Sequence, residues 1–468
     1  MSLVFYDTET TGTETYFDQI LQFAAIKTDV DLNVIDRFEI RCRILPHVVP
    51  APGALRVTGV TPTQLINPSL PSHYEMVRAI RSKLLSWSPA MFLGWNTIDF
   101  DEDLIRQALY KTLHNPYLTN RDGNSRSDVM RMAQACSLTA PSALTFPLGD
   151  GGKKIFKLDR FAPSNGFSHE QAHDAMGDVE ATIFLAKLLM VKAPEVWSSF
   201  MRFSTKAAVV DYINEERVFC FSDFYFGKPL SCAATVIGQN QGNAAEWYIY
   251  DLSVDPSSLL SLTESKLKAR LNASPKVVRK LKSNGVPMLL PFEDAPDICK
   301  GRDQGLEELE RRADLLRAGT EARERLVSAF ESLKAEYPVS PHVEKQIYNG
   351  FFEPMDERLM DEFHEVEWSK RHAIVEKFQD QRLRTIGKRL IHLERPDLLE
   401  ESARREHDLA VANRLLGRDP DVPWLTLPKA LDEIRGILST MARSESALLQ
   451  EHYDHLHERH RLAVAHAN

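Results

Sequence analysis

The chain has 468 residues, of which 43% are hydrophobic and 26% charged, the make-up of a folded globular protein with room for roughly three domains. A net charge of −9 argues against general electrostatic adhesion to DNA or membranes but leaves room for a local basic groove. The longest apolar run, 181–191, is broken by Lys187 and is too short to span a bilayer; the five cysteines form no C-x-x-C pair; and no basic-then-apolar leader precedes Asp7. A cytoplasmic protein without membrane segment, zinc site or disulfide frame is expected.

From 1 to about 195 the pattern is mixed α/β. LVFYDTE, ILQFAAIKTD (20–29) and VIDRFEIRCRI (34–44) read as a three-stranded meander, and AMFLGWN (90–96) as a later strand reached through helices. From 218 to about 300, short β-type runs punctuated by Gly, Asn and Pro read as a small barrel or sandwich. Beyond about 302 the sequence is charged and helical in period, with its domain boundary softest between 300 and 345.

Chemistry concentrates in the first region. Asp7 and Glu9, at i and i+2 on a strand, project from one side while Thr8 points away. Two anions so close repel each other and call for a cation or for water. GWNTIDFDEDL (94–104) then opens a helix with Asp99, Asp101, Glu102 and Asp103, although acids in a first helical turn are also favoured by the helix dipole alone. In AHDAMGDVEATI (172–183), His173 and Asp178 would stand about 140° apart on one continuous helix. With Asp174 as N-cap, His173 instead lies on a loop and is free to swing over Asp178. Four carboxylates and one imidazole suit Mg²⁺ or Mn²⁺, two ions bracing an in-line attack on phosphorus while His173 takes a proton from water.

These motifs, in this order, resemble the D-E-D-D-h exonucleases, and QFAAIKTD (22–29), PGALRVTGVTP (52–62), LGWNTIDFDED (93–103), NSRSD (124–128), FKLDRFAPSNG (156–166) and QIYNGFF (346–352) narrow the resemblance to bacterial exodeoxyribonuclease I. It implies a ribonuclease H-like mixed-sheet nuclease domain (1–195), an SH3-like β-barrel domain (196–343) and a C-terminal helical domain (344–468). It also implies Asp7, Glu9, Asp101 and Asp178 as metal ligands, His173 as general base, and Glu9 and Lys157 as substrate contacts. Asp101 is chosen over Asp99 because it follows Phe100 in the family's N-x-x-x-F-D pattern. Lys157 stands where the family carries arginine, keeping the charge without the bidentate fork. The first motif, Asp-Thr-Glu-Thr, departs from the closest relatives toward the form commoner in the wider class.

The implied activity is processive, Mg²⁺-dependent 3′→5′ hydrolysis of single-stranded DNA in repair and recombination, by a monomer that docks on the acidic tail of single-stranded-DNA-binding protein. Arg279, Lys280 and Lys282, with the aromatics of VFCFSDFYFG, are the expected strand contacts of the middle domain, and chemistry itself is expected to need only residues 1–195. An exoribonuclease and a non-catalytic nucleic-acid-binding module are the rival readings. The histidines of 451–468 are assigned no chemistry.

Overall fold

The computed structural model describes residues 2–168, 173–225, 227–335, 338–419, 421–442 and 446–467. Its first sheet contains β1 (Ser2–Thr10), β2 (Ile20–Thr28), β3 (Val34–Arg41), β4 (Ala90–Leu93) and β5 (Ser125–Arg126), in the order β3-β2-β1-β4-β5. The first three pair antiparallel as the expected meander, and β4 and β5 add in parallel. Parallel addition needs a crossover, supplied before β4 by α1 (His73–Trp87) and before β5 by α2 (Asp101–Lys111). Further helices of this domain include α3 (Val129–Thr139), α4 (Leu158–Ser164) and α5 (Ala175–Lys192).

Strand alternation divides β1 between two cores. Leu3 and Phe5 join Ala24 and Ile26 of β2, and Val179, Ile183 and Ala186 of α5, on one face. Val4 and Tyr6 join Phe23, Met76 and Val77 of α1, and Leu104 and Ile105 of α2, on the other. β1 is therefore central and covered on both sides, and what its odd-numbered row carries beyond Phe5 is held at a rigid position.

The middle region forms a second antiparallel sheet of β6 (Phe219–Tyr225), β7 (Lys228–Gln239), β8 (Glu246–Asp251), β9 (Val278–Lys282) and β10 (Met288–Pro291), ordered β10-β6-β7-β8-β9. The expected barrel is not closed: among the described residues β9 and β10 stand at opposite edges and do not pair. Helices take the place of closure. On one face α6 (Leu306–Ala318) and α7 (Thr320–Glu331) bury Leu309, Leu316 and Leu326 against Ile237, Tyr248 and Tyr250. On the other, Val209, Tyr212 and Ile213 cover Phe219, Phe221 and Ile249. Phe219 and Phe221, expected as strand contacts, are thus core residues with no ring face left for a base, and Phe226 lies outside the described residues.

The C-terminal region is helical, as expected. Its first part packs on the nuclease domain by burying Phe363, Leu383 and Ile386 with Tyr74, Tyr110 and Leu113. The last helix, Ala447–Ala467, returns to the same domain, where the buried His452 lies 2.7 Å from the Val60 carbonyl oxygen. No helix among the described residues is long and apolar enough to cross a membrane.

Candidate active site

The apolar row Leu3–Phe5 of β1 continues as Asp7 and Glu9 on the same face, and α5 brings Asp178 to them from its first turn. Ligand atoms of Asp7, Glu9 and Asp178 lie within 4.8 Å of one another. Asp101 arrives from the first turn of α2, 3% exposed, and accepts hydrogen bonds from the Thr8 hydroxyl at 2.6 Å and the Thr8 amide at 3.0 Å.

The three acids around Asp101 separate by environment. Asp99 is well exposed and ion-paired with Arg131 at 2.8 Å. Glu102 is buried, pairs with Arg106 and Arg126, and accepts from Tyr6 and Thr119. Asp103 accepts from Tyr348 at 2.7 Å.

Desolvation, followed by the charges of Asp101, Asp178 and Glu9, holds the Asp7 carboxyl well above its ordinary range. Desolvation with the Asp178 and Asp101 charges pushes Glu9 up to about 9, and desolvation raises Asp101 to about 7 against the pull of the Thr8 hydrogen bonds. Carboxylates so mutually hostile are a cation site by their chemistry: hard oxygen donors, clustered, and short of positive charge. Asp7, Glu9 and Asp178, with Asp101 adjoining, fit a divalent ion.

His173 precedes α5 with φ 66°, in the left-handed region that side chains other than glycine seldom adopt, and its amide donates to Asp178 at 3.4 Å. It lines a cleft of about 400 Å³ with Glu9, Gln22, Arg41 and Asp174. Asp174 holds the N-cap position, but its carboxylate does not cap the helix; it accepts from Arg41 at 2.6 Å and Gln22 at 2.9 Å, tying the start of α5 to the meander. Lys157 is exposed at the N-terminus of α4. The preceding Phe156 carbonyl accepts from the Trp95 indole at 2.8 Å, which fastens that loop to the segment leading from β4 to Asp101.

The middle-domain cations lie on a strand. Arg279 shares one face of β9 with the buried Leu281, while Lys280 and Lys282 occupy the other, where Lys280 pairs with Glu246 at 3.2 Å. Sequence reasoning passed over Thr8, whose outward-pointing hydroxyl clasps Asp101, and Arg126 and Arg131, which engage the acids on either side of it. Strand alternation signalled Thr8; nothing local signalled the arginines.

A family model described as exonuclease matches residues 4–186, and one described as exonuclease I C-terminal domain matches 341–459. Exodeoxyribonuclease I of Escherichia coli K12 is 30% identical over 412 residues, which cover 82% of this chain and 83% of that enzyme. The chain belongs to the exodeoxyribonuclease I family. It is accordingly an exodeoxyribonuclease, of a family whose chemistry implies divalent metal ions. The structure of E. coli exonuclease I in complex with a dA16 oligonucleotide superposes with a TM-score of 0.84 at 25% identity, covering 98% of this chain and 99% of that one. A structure of SSB/exonuclease I in complex with the inhibitor CFAM shares the fold, with a TM-score of 0.82 at 24% identity and coverage of 98% and 99%.

Proposed function

We propose that this exodeoxyribonuclease removes 5′-mononucleotides from the 3′ end of single-stranded DNA, processively and as a monomer, in DNA repair and recombination. The observation that carries the reading is the cluster of Asp7, Glu9 and Asp178 with Asp101 beside it, an acid set that suits metal-assisted attack on phosphorus. These four residues would hold two Mg²⁺ ions, for which Mn²⁺ can substitute. Bound ions supply a water of lowered pKa and charge stabilisation for the leaving oxygen.

The chain's own groups do the rest. His173, on the cleft wall beside Glu9, accepts the proton of the attacking water, and Glu9 and Lys157 hold the terminal nucleotide. Tyr348 and Phe351, about half and four-fifths exposed, stand by α2, with Tyr348 bonded to Asp103 and the Phe351 ring 5.6 Å from that of Tyr117. Rings so exposed suit the stacking of unpaired bases, which duplex DNA does not offer. Lys280 and Lys282 extend the path along β9, with Arg279 on its other face. Single-stranded-DNA-binding protein, present with exonuclease I in one structural relative, is the expected partner through its acidic tail.

The test is digestion of 3′-labelled single-stranded DNA, duplex DNA and RNA with Mg²⁺, with and without EDTA. Single-stranded DNA should be shortened from its 3′ end only when metal is present. Equal cleavage of RNA, or cleavage that survives EDTA, would rule the reading out.

A further inference from the structure

Asp99 and Glu102, the acids on either side of Asp101, are each held by an arginine that also reaches into another domain. Arg131 of α3 donates to both carboxylate oxygens of Asp99, at 2.8 and 3.0 Å, and the same guanidinium donates to the Gly285 carbonyl and, at 3.4 Å, to that of Val286. Arg126 of β5 donates to Glu102 at 3.0 Å and to the Asn284 carbonyl at 2.8 Å. Asp99 and Glu102 flank Asp101 in sequence, and Asn284, Gly285 and Val286 are consecutive in the loop between β9 and β10.

The segment before Asp101 needs such external support. Asn96 has φ 64° and Phe100 has φ −140° and ψ −74°, so 97–99 makes a single 3-10 turn, closed by two long hydrogen bonds, that does not run on into α2. Its amides at Asn96 and Ile98 donate to Asp128, the N-cap of α3, which ties the segment to the helix that carries Arg131. The loop is anchored in turn. Val286 is 2% exposed within the nuclease-domain core that contains Val129, Met132 and Val179, at a φ of 51° that disfavours a β-branched residue.

We infer that the loop 283–287 is a positioning element for Asp101, acting through Arg131 and Arg126, so that the second domain helps to build the metal site as well as to grip the strand. The inference rests on Asp101 being a metal ligand. It replaces the expectation that residues 1–195 suffice for chemistry, because a nuclease domain cut there loses the carbonyl acceptors that two mostly buried arginines find at 284–286, and the Val286 anchor.

The test uses the full chain, with no DNA present in the binding measurement. Mn²⁺ binding is measured by calorimetry, well below the melting temperature of each variant, beside kcat on single-stranded DNA. Losing a charge-assisted hydrogen bond costs about 1.5 kcal/mol, roughly tenfold in affinity. Arg131→Met should therefore weaken Mn²⁺ binding by about tenfold and lower kcat, and Arg131→Lys should recover part of both. Val286→Gly, which touches no acid and no substrate, should act in the same direction as Arg131→Met.

Variants that fold, by circular dichroism, yet bind Mn²⁺ within about twofold of wild type would overturn the proposal. If Arg131→Met does not fold, Val286→Gly and the milder Val286→Ala decide it by the same reading. Wild-type Mn²⁺ affinity in Asp101→Asn would show instead that the ligand assignment has failed, and the positioning role would fall with it.

Discussion

The Thr8 hydroxyl donates to the Asp101 carboxylate at 2.6 Å from the face of β1 opposite to that of Asp7 and Glu9. One strand thus supplies two acids with one row of side chains and restrains a third with the other. Thr8→Val keeps shape and burial but removes the donor, leaving Asp101 with the Thr8 amide alone from this residue. Hydrogen bonds to charged groups contribute about 1.5–3 kcal/mol. Hydrolysis should fall by about ten- to a hundredfold in Thr8→Val and return in Thr8→Ser, read from single-turnover rates at saturating metal.

Asp7→Ala, Glu9→Ala, Asp101→Ala and Asp178→Ala should each abolish hydrolysis while leaving the fold intact. Near wild-type turnover in any one of them would remove that residue from the ligand set.

The same acids make the metal-free protein pH-sensitive. The folded state keeps protons on Asp7, Glu9 and Asp101 that the unfolded chain has released, so it binds more protons between about pH 4 and 9. Stability without metal therefore falls as pH rises through this window. In EDTA, Glu9→Gln should melt several degrees above wild type at pH 8.5 and close to it at pH 5, and Mn²⁺ should raise the wild-type melting temperature more at the higher pH. A melting difference independent of pH would contradict this account.

His173→Ala should slow hydrolysis by about 10²–10⁴ with Mn²⁺ affinity nearly unchanged, the contribution of a positioned general base. Collapse of metal affinity would make His173 a ligand instead.

Buried histidines predict acid lability where the helical domain meets the nuclease domain. His114 and His364 stack with ring centroids 3.8 Å apart, next to Tyr74. Burial lowers His73 to about 3 and His364 to about 4, and pushes His114 down further with help from the His364 charge. The unfolded chain protonates these rings near pH 6.5 and the folded protein does not, so their contribution is complete above pH 6.5 and is lost progressively toward pH 4. His364→Gln should flatten that acid limb of the melting curve. An unchanged slope would place the lability elsewhere.

Local periodicity revealed the meander, the D-x-E row and the helical C-terminus, because each depends on residues a few positions apart. Asp101 could be singled out from Asp99, Glu102 and Asp103 only through the family pattern, since four acids within five residues look alike until burial and partners separate them. The closed barrel failed for a similar reason. Alternating apolar residues specify a sheet with buried faces, but whether another strand or a helix buries them is decided by segments as distant as Leu309 and Val209. Nothing near Arg126 and Arg131 in the chain announced their part, because the carbonyl acceptors at Asn284 and Gly285 lie more than 150 positions away.

The pairing of β1 with β2 is regular from Leu3 to Glu9 and slips immediately afterwards, between Glu9 and Thr10. Ahead of that slip, inserting or deleting a single residue would exchange the two rows, turning Asp7 and Glu9 toward α2 and Thr8 toward α5. Behind it, the ladder has already surrendered its parity, and the chain can gain or lose a residue without reversing anything upstream. Descendants of this gene should therefore differ in length after Glu9, in the turn toward β2, and keep an unbroken count of residues between Leu3 and Glu9.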